Sequence, residues 1–199
     1  MTDVTVVVLG LGAMGLPMAT HLAQDFSVKA FDPFQARRDL AQEAGAQACV
    51  SAAEASKDVD VAVIAVRSAP QVEAVLFGTD GAAKALKQGS VVVTSTVGAE
   101  CVLDMETRLA ALGVGLVDAP VSGGAVRAGD GELLIMLGGS QESLAAARPG
   151  LPAPGGERSG ASGAPGAGPS PRGHGGARRR PEHEGCQPAP VRHPHRRGC

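Results

Sequence analysis

Near the start of the chain an unbroken aliphatic run passes straight into a glycine-spaced turn: "VTVVVLG" over residues 4–10, then "LGAMG" over 11–15. A β-branched run of this kind reads as a strand covered on both faces, because a strand with one wet face would alternate apolar and polar residues. The spacing then becomes helical, with Met14, Met18 and Leu22 on one stripe. A doubly covered strand that feeds a helix through a tight turn needs parallel strands beside it and helices on both faces.

The following residues repeat that unit. "SVKAFD" reads as a strand and "QARRDLAQEAG" as a helix stopped by Gly45, while Ser51 to Glu54 form a capping box that opens a short helix. "VDVAVIAV" and "SVVVTST" are strands, separated by the helix "APQVEAVLF" that Gly78 ends. A further helix places Val102, Met105, Leu109 and Leu112 at helical spacing, and the strands "VGLVDAP" and "GELLIMLGG" follow. "SQESLAAAR" reads as the last helix. Strands alternating with helices of this length predict an α/β fold, a Rossmann-type doubly wound parallel sheet.

The pattern stops at Pro149. Residues 149–199 hold 12 Gly, 10 Pro and 8 Arg, with Leu151 and Val191 as the large aliphatics. Such a segment buries too little apolar surface to offset its ordering entropy, so a disordered C-terminal tail is expected after a domain spanning 1–148. The tail's eight Arg and three Glu give it a charge of +5, which leaves −7 on residues 1–148 of a chain whose net charge is −2. No apolar run reaches the roughly 18 residues of a membrane span, and Met1-Thr2-Asp3 leads into a strand without a leader peptide. Cys49 and Cys101 stand alone in the domain as buried thiols, consistent with a cytoplasmic protein. His183, Cys186, His193, His195 and Cys199 have loosely metal-like spacing but no apolar support, so no metal site is expected. Arg178 to Arg180 form a basic cluster without aromatic residues to stack bases, so nucleic acid is not the expected partner.

"GLGAMG" is the pattern G-x-G-x-x-G, with Gly10, Gly12 and Gly15 placed between a strand and a helix. The first glycine permits the turn, the second lets a pyrophosphate approach the backbone, and the third lets the helix pack closely on the strand. Leu11, Ala13 and Met14 complete the loop, whose N–H groups open the helix toward an anion. Asp32 ends the second strand, where a carboxylate accepts hydrogen bonds from the adenosine ribose hydroxyls. That carboxylate repels a 2′-phosphate and is followed by Pro33 rather than Arg, so NAD is favoured over NADP; Arg37 and Arg38 lie a turn into the next helix. In "DAPVSGG", Ser122 offers a hydroxyl and Gly123 and Gly124 offer unobstructed N–H groups, a combination suited to a carboxylate. A capped turn with no ligand accounts for these three residues equally well.

Taken in order, "VVVLGLGAMGLPMATHL", "VRSAPQVEAVLFGTDG", "VVVTSTVGAE" and "VDAPVSGGAVRAGDGELLIMLGG" resemble the β-hydroxyacid dehydrogenases. This is the family of 3-hydroxyisobutyrate dehydrogenase and of the NAD-binding half of 6-phosphogluconate dehydrogenase, and the wording is nearest its L-threonate dehydrogenase branch. The resemblance covers residues 4–148. It implies that Gly10 to Gly15 and Asp32 bind the dinucleotide, that Val66, Arg67, Gln71 and Thr96 border it, and that Ser122, Gly123 and Gly124 hold the substrate carboxylate. Val66-Arg67 stands where the family usually has Leu-Pro.

The family oxidises a 3-hydroxy acid by hydride transfer while a lysine takes the hydroxyl proton. That lysine opens a long helix after the dinucleotide domain, in a G-x-G-x-x-x-K-x-x-N-N stretch. Here no lysine follows Lys87 and the chain has no asparagine; Arg172, in a glycine-rich part of the tail, cannot be deprotonated at working pH. No residue of the chain is therefore assigned as catalytic. The tail is expected to be the product of a shifted reading frame, and the chain is expected to bind NAD without turning over substrate. The alternative is a non-catalytic dinucleotide-binding module, assembled with like or unlike chains.

Overall fold

The computed structural model describes residues 4–87, 89–148 and 151. The expectation of a disordered tail falls outside these residues, Leu151 apart. In chain order the elements are β1 (Thr5–Leu9), α1 (Gly15–Leu22), β2 (Ser27–Phe31), α2 (Gln35–Glu43), β3 (Gln47–Ala48), α3 (Ala52–Ala55), β4 (Val61–Ile64) and α4 (Ala69–Phe77). A single 3-10 turn (Ala82–Lys84) precedes β5 (Ser90–Val93), α5 (Ala99–Ala110), β6 (Gly115–Asp118), β7 (Val121–Ser122), α6 (Gly124–Gly129), β8 (Leu134–Ile135), β9 (Gly138–Gly139) and α7 (Gln141–Ala147).

Seven strands form one sheet in the order β3-β2-β1-β4-β5-β6-β9. The first six are parallel, with Val8 opposite both Ala30 of β2 and Val63 of β4. This is the doubly wound Rossmann order, in which the winding reverses between β1 and β4. Alternate residues of β1 serve opposite faces. Val7 and Leu9 pack with Val72, Leu76, Met105 and Leu109 of α4 and α5, whereas Val6 and Val8 pack with Ala19, Leu22, Ala41 and Ala147 of α1, α2 and α7. Residues Val6 to Leu9 are wholly buried, which is why β1 reads as an uninterrupted aliphatic run.

Local signals place the helix ends. Ser51 Oγ accepts the Glu54 N–H at 3.1 Å, and Glu54 returns a bond to the N–H of Val50 at 2.8 Å, one residue upstream of the reciprocal bond of a standard capping box. Gly45 ends α2 as read, with its N–H on the Gln42 carbonyl and the Ala46 N–H on that of Ala41. Helices α4 and α5 are locked together at their surface: the Arg108 guanidinium makes two 2.8 Å bonds to Glu73 and lies 3.6 Å from the centroid of the Phe77 ring.

Three details differ from the sequence pattern. The stretch "GELLIMLGG" is two short strands, not one. Leu134 and Ile135 pair with β7, the Met136 N–H bonds to the Pro120 carbonyl, and Gly138 and Gly139 then run antiparallel to the edge of β6. Hydrogen-bonding partners on two different sheets break the run, and Leu134, Met136 and Leu137 are left exposed. The buried stripe of α1 is Gly15, Ala19 and Leu22, while Met14 is the N-cap and Met18 is half-buried. Met18 instead borders a small apolar cavity with Leu22, Val63, Val92 and Ile135. Leu112 falls beyond the end of α5, in the turn that Gly113 closes, and is exposed.

Candidate dinucleotide site

The glycine loop leaves β1 at the topological switch point, where open α/β sheets bind ligands beyond the carboxyl ends of their strands. Gly10 turns the chain with φ +97°; a β-carbon there would lie 2.7 Å from the Ala65 carbonyl oxygen and 2.9 Å from Val66 Cγ1, both beyond the end of β4. Its N–H is held by the Phe31 carbonyl at 2.8 Å, so the turn is anchored to β2 as well. Gly15 faces back on the loop, and a β-carbon there would overlap the Gly10 carbonyl oxygen.

Gly12 is different. A β-carbon there would meet nothing within 4 Å, and its backbone does not need the left-handed region. Neither packing nor conformation within the protein calls for glycine at this position. Among the described residues none accepts a hydrogen bond from the N–H of Gly12 or Ala13, whereas the Leu11 N–H is taken by Asp32 at 2.8 Å. Open space in front of unpaired N–H groups at a helix start suits an anion. The residues present therefore fit a dinucleotide pyrophosphate.

Asp32 closes the other side of the loop. The residue is buried, and its carboxylate accepts the N–H of Leu11 on Oδ2 and the N–H of Phe34 on Oδ1, at 2.8 and 3.0 Å. Arg37 Nη1 stands 3.2 Å from Oδ2, and Arg38 donates to the Asp32 carbonyl oxygen at 2.6 Å. The ribose acceptor read from sequence is thus also the strut that fixes the loop. Phe34, 61% exposed beside it, was not singled out by sequence reasoning. The signal was there: it is one of four phenylalanines in the chain, two residues after the acid and just before a helix.

At the ends of β4 and β5, Thr94 Oγ1 and Ser95 Oγ donate to the carbonyls of Ile64 and Val66 at 2.9 and 2.6 Å. These two hydroxyls clamp the two strand ends, and Thr96 beyond them is exposed. Gln71 Oε1 accepts the Arg67 N–H at 2.9 Å and so shapes the loop on which Val66 and Arg67 sit.

Ser122 closes β7, and Gly123 and Gly124 (φ +144° and +76°) lead into α6, which packs against α1. All three are exposed. A side chain at Gly123 would press on Arg127 and Leu133 at 3.1 Å, whereas Gly124 faces open space. At the end of β6, burial pushes the Asp118 carboxyl above its ordinary value of 3.8. Among the described residues no cluster of His, Cys, Asp or Glu could hold a metal, and no helix is long and apolar enough to cross a membrane.

A 3-2-1-4-5-6 sheet, a glycine loop at its switch point and an acid at the end of β2 are the marks of a Rossmann-type dinucleotide-binding domain. Residues 5–161 match the model of the NAD binding domain of 6-phosphogluconate dehydrogenase, and the chain belongs to that family. It is 42% identical over 142 residues to the L-threonate dehydrogenase of Cupriavidus necator, covering 70% of this chain and 48% of that one. To the NAD-dependent L-serine dehydrogenase of Pseudomonas aeruginosa it is 35% identical over 143 residues, which cover 71% and 48% of the two chains. The crystal structure of 3-hydroxyisobutyrate dehydrogenase from Salmonella typhimurium superposes with a TM-score of 0.77 at 36% identity, over 83% of this chain and 59% of that one. The chain spans about half the length of the curated relatives it matches.

Proposed function

We propose that this chain binds NAD across the glycine loop and Asp32 and holds the carboxylate of a small 3-hydroxy acid at Ser122, Gly123 and Gly124. The observation that carries the reading is Gly12, a glycine that nothing inside the protein demands, standing before N–H groups with no internal acceptor. Gly10, Leu11, Ala13, Met14 and Gly15 build the cradle, and Val66, Arg67, Gln71 and Thr96 border the dinucleotide. Bound NAD supplies a hydride acceptor. The relatives' printed activities, on L-threonate, L-serine and 3-hydroxyisobutyrate, support the substrate class.

Removal of the hydroxyl proton needs a base, typically worth about 10²–10⁴ in rate. The chain's four lysines are Lys29, Lys57, Lys84 and Lys87. Lys29 donates to the Lys57 carbonyl, Lys84 to the Thr79 carbonyl, and Lys87 pairs with Asp58; the segment from Lys57 to Asp58 precedes β4, and Lys87 precedes β5. Those are the amino ends of the strands, across the sheet from the glycine loop. We infer that turnover requires a lysine from outside these 199 residues, and that the chain alone is a cytoplasmic NAD-binding unit.

The test is a pair of assays on the purified chain. Isothermal titration with NAD is expected to give saturable binding. Absorbance of NADH in the presence of NAD with L-threonate, 3-hydroxyisobutyrate or L-serine is expected to stay flat. Turnover would show that a base within the chain had been missed, and absence of NAD binding would remove the reading altogether.

A further inference from the structure

The two-stranded sheet of β7 and β8 stands apart from the main sheet and pairs Val121 with Ile135 and Ser122 with Leu134. A ribbon of this length is not stable by itself in water and takes its shape from what its inner face packs on. Alternation along the strands marks that face. Leu133 and Ile135 are half-buried whereas Leu134 and Met136 are exposed, and across the pair Val121 is half-buried and Ser122 exposed. Ser122 therefore faces outward because Val121 and Ile135 face inward. A slip by one residue would exchange the two faces and turn its hydroxyl toward the core.

The support beneath the inner face comes from further along the chain. Leu133 and Ile135 border, with Met18 and Leu22 of α1, an almost wholly apolar cavity of about 50 Å³ beside Val63 and Val92 of the main sheet. Leu151 completes its wall. This residue lies beyond Pro149, where the apolar pattern of the sequence stops, and its N–H bonds to the Arg148 carbonyl at 3.3 Å. Leu151 and Ile135 pack against the same core cluster, which includes Ala147 of α7. One side chain thus ties the end of α7 to α1 and to the ribbon. Removing it would widen a space that already lies under Leu133 and Ile135, and the ribbon would lose contacts on the face that orients it.

We propose that Leu151 is a positioning residue for Ser122: it holds the inner face of the β7–β8 pair and so keeps the hydroxyl on the outer side. This rests on reading Ser122, Gly123 and Gly124 as the carboxylate site. It also extends the folded unit past Pro149.

The experiment follows backbone amides of the full chain and its Leu151→Ala and Leu151→Met variants by NMR. Leu151 is half-buried, so both variants are expected to stay folded, which thermal melts check. The Met136 N–H bonds to the Pro120 carbonyl at 3.1 Å beside the pair. In the parent it is expected to exchange with solvent faster than the N–H groups of Val8 and Val63, the mark of an opening confined to the ribbon. Leu151→Ala is expected to quicken that exchange at least about tenfold, and Leu151→Met, of similar volume, to leave it near the parent. The Cys49 N–H, held by the Ala30 carbonyl toward the opposite edge of the sheet, is expected to keep its rate. Titration with 3-hydroxyisobutyrate, read at the Ser122 and Gly124 signals, is expected to show affinity at least about threefold weaker in Leu151→Ala.

A Met136 rate unchanged by Leu151→Ala, or equal to the Val8 rate in the parent, would overturn the proposal. Unchanged affinity for 3-hydroxyisobutyrate in that variant would do the same. Parent signals that stay still throughout the titration would overturn the carboxylate reading itself, and with it the role of Leu151 toward that site.

Discussion

The backbone N–H of Leu11 donates to the carboxylate of Asp32 at 2.8 Å across 21 residues of sequence, joining the loop after β1 to the end of β2. One acid thereby fixes the shape of the glycine loop and, in the function proposed above, presents the ribose acceptor. Fold and proposed site share a single group.

That sharing makes Asp32→Asn informative. An amide has one acceptor atom where the carboxylate has two, so it must turn a donor toward the N–H of Leu11 or of Phe34. Leaving a buried charged-acceptor bond unmade costs about 1–3 kcal/mol. Denaturant unfolding is expected to show a loss in that range, and calorimetry a loss of NAD affinity beyond what stability explains. Unchanged unfolding would mean that the loop does not depend on this strut.

Gly15→Ala tests the packing of α1 on the turn. The added carbon falls inside the Gly10 carbonyl oxygen, a backbone atom that cannot swing aside. Overpacking of this kind is expected to cost at least about 3 kcal/mol, read as a lowered unfolding midpoint or as failure to accumulate folded protein. A variant with the parent's midpoint would contradict the close approach of helix and turn.

Helices α4 and α5 meet at Arg108, which bridges Glu73 on one side and Asp104 on the other while covering Phe77. The site is partly exposed, so its contribution is small. Arg108→Ala is expected to lower stability by about 1 kcal/mol, and Arg108→Lys to recover less than half of it, because an ammonium cannot bond Glu73 through two parallel N–H groups. Chemical denaturation measures both. Full recovery by lysine would reduce the contact to charge alone.

Asp118 carries a pH prediction. Burial raises its folded-state pKa above the ordinary 3.8. Below that value the carboxyl is neutral in both states and costs nothing. As pH rises past it, the unfolded chain ionises first, so stability falls until the folded-state pKa is passed. Asp118→Asn removes that loss. Its melting temperature is expected to exceed the parent's at pH 7 and to converge on it toward pH 4. A variant less stable than the parent at pH 7 would assign the carboxylate a stabilising partner.

The sequence disclosed what is decided locally. The run from Val4 to Leu9 is aliphatic because both its faces are covered, and that is visible without knowing what covers them. The order of Gly10, Gly12, Gly15 and Asp32 was readable for the same reason, since turn, cradle and strand end succeed one another along the chain. Where partners are chosen at a distance, the pattern was silent. "GELLIMLGG" contains nothing to say that Leu134 pairs with Ser122 while Gly138 pairs with Asp118. Helical spacing grouped Met14, Met18 and Leu22 on one stripe, but did not show that the buried face is Gly15, Ala19 and Leu22. Arg37 was visible as a charge near Asp32, but its seat on the carboxylate and against Phe34 needed coordinates.

The most direct measurement is NAD binding by Gly12→Ala set beside its thermal melt. Gly12 has room for a methyl group and no need of a positive φ, so the variant is expected to melt with the parent or slightly above it, as alanine restricts the unfolded chain. If the space before it belongs to a pyrophosphate, that methyl group should weaken NAD binding by at least about tenfold. A variant that melts like the parent and binds NAD like the parent would contradict the account.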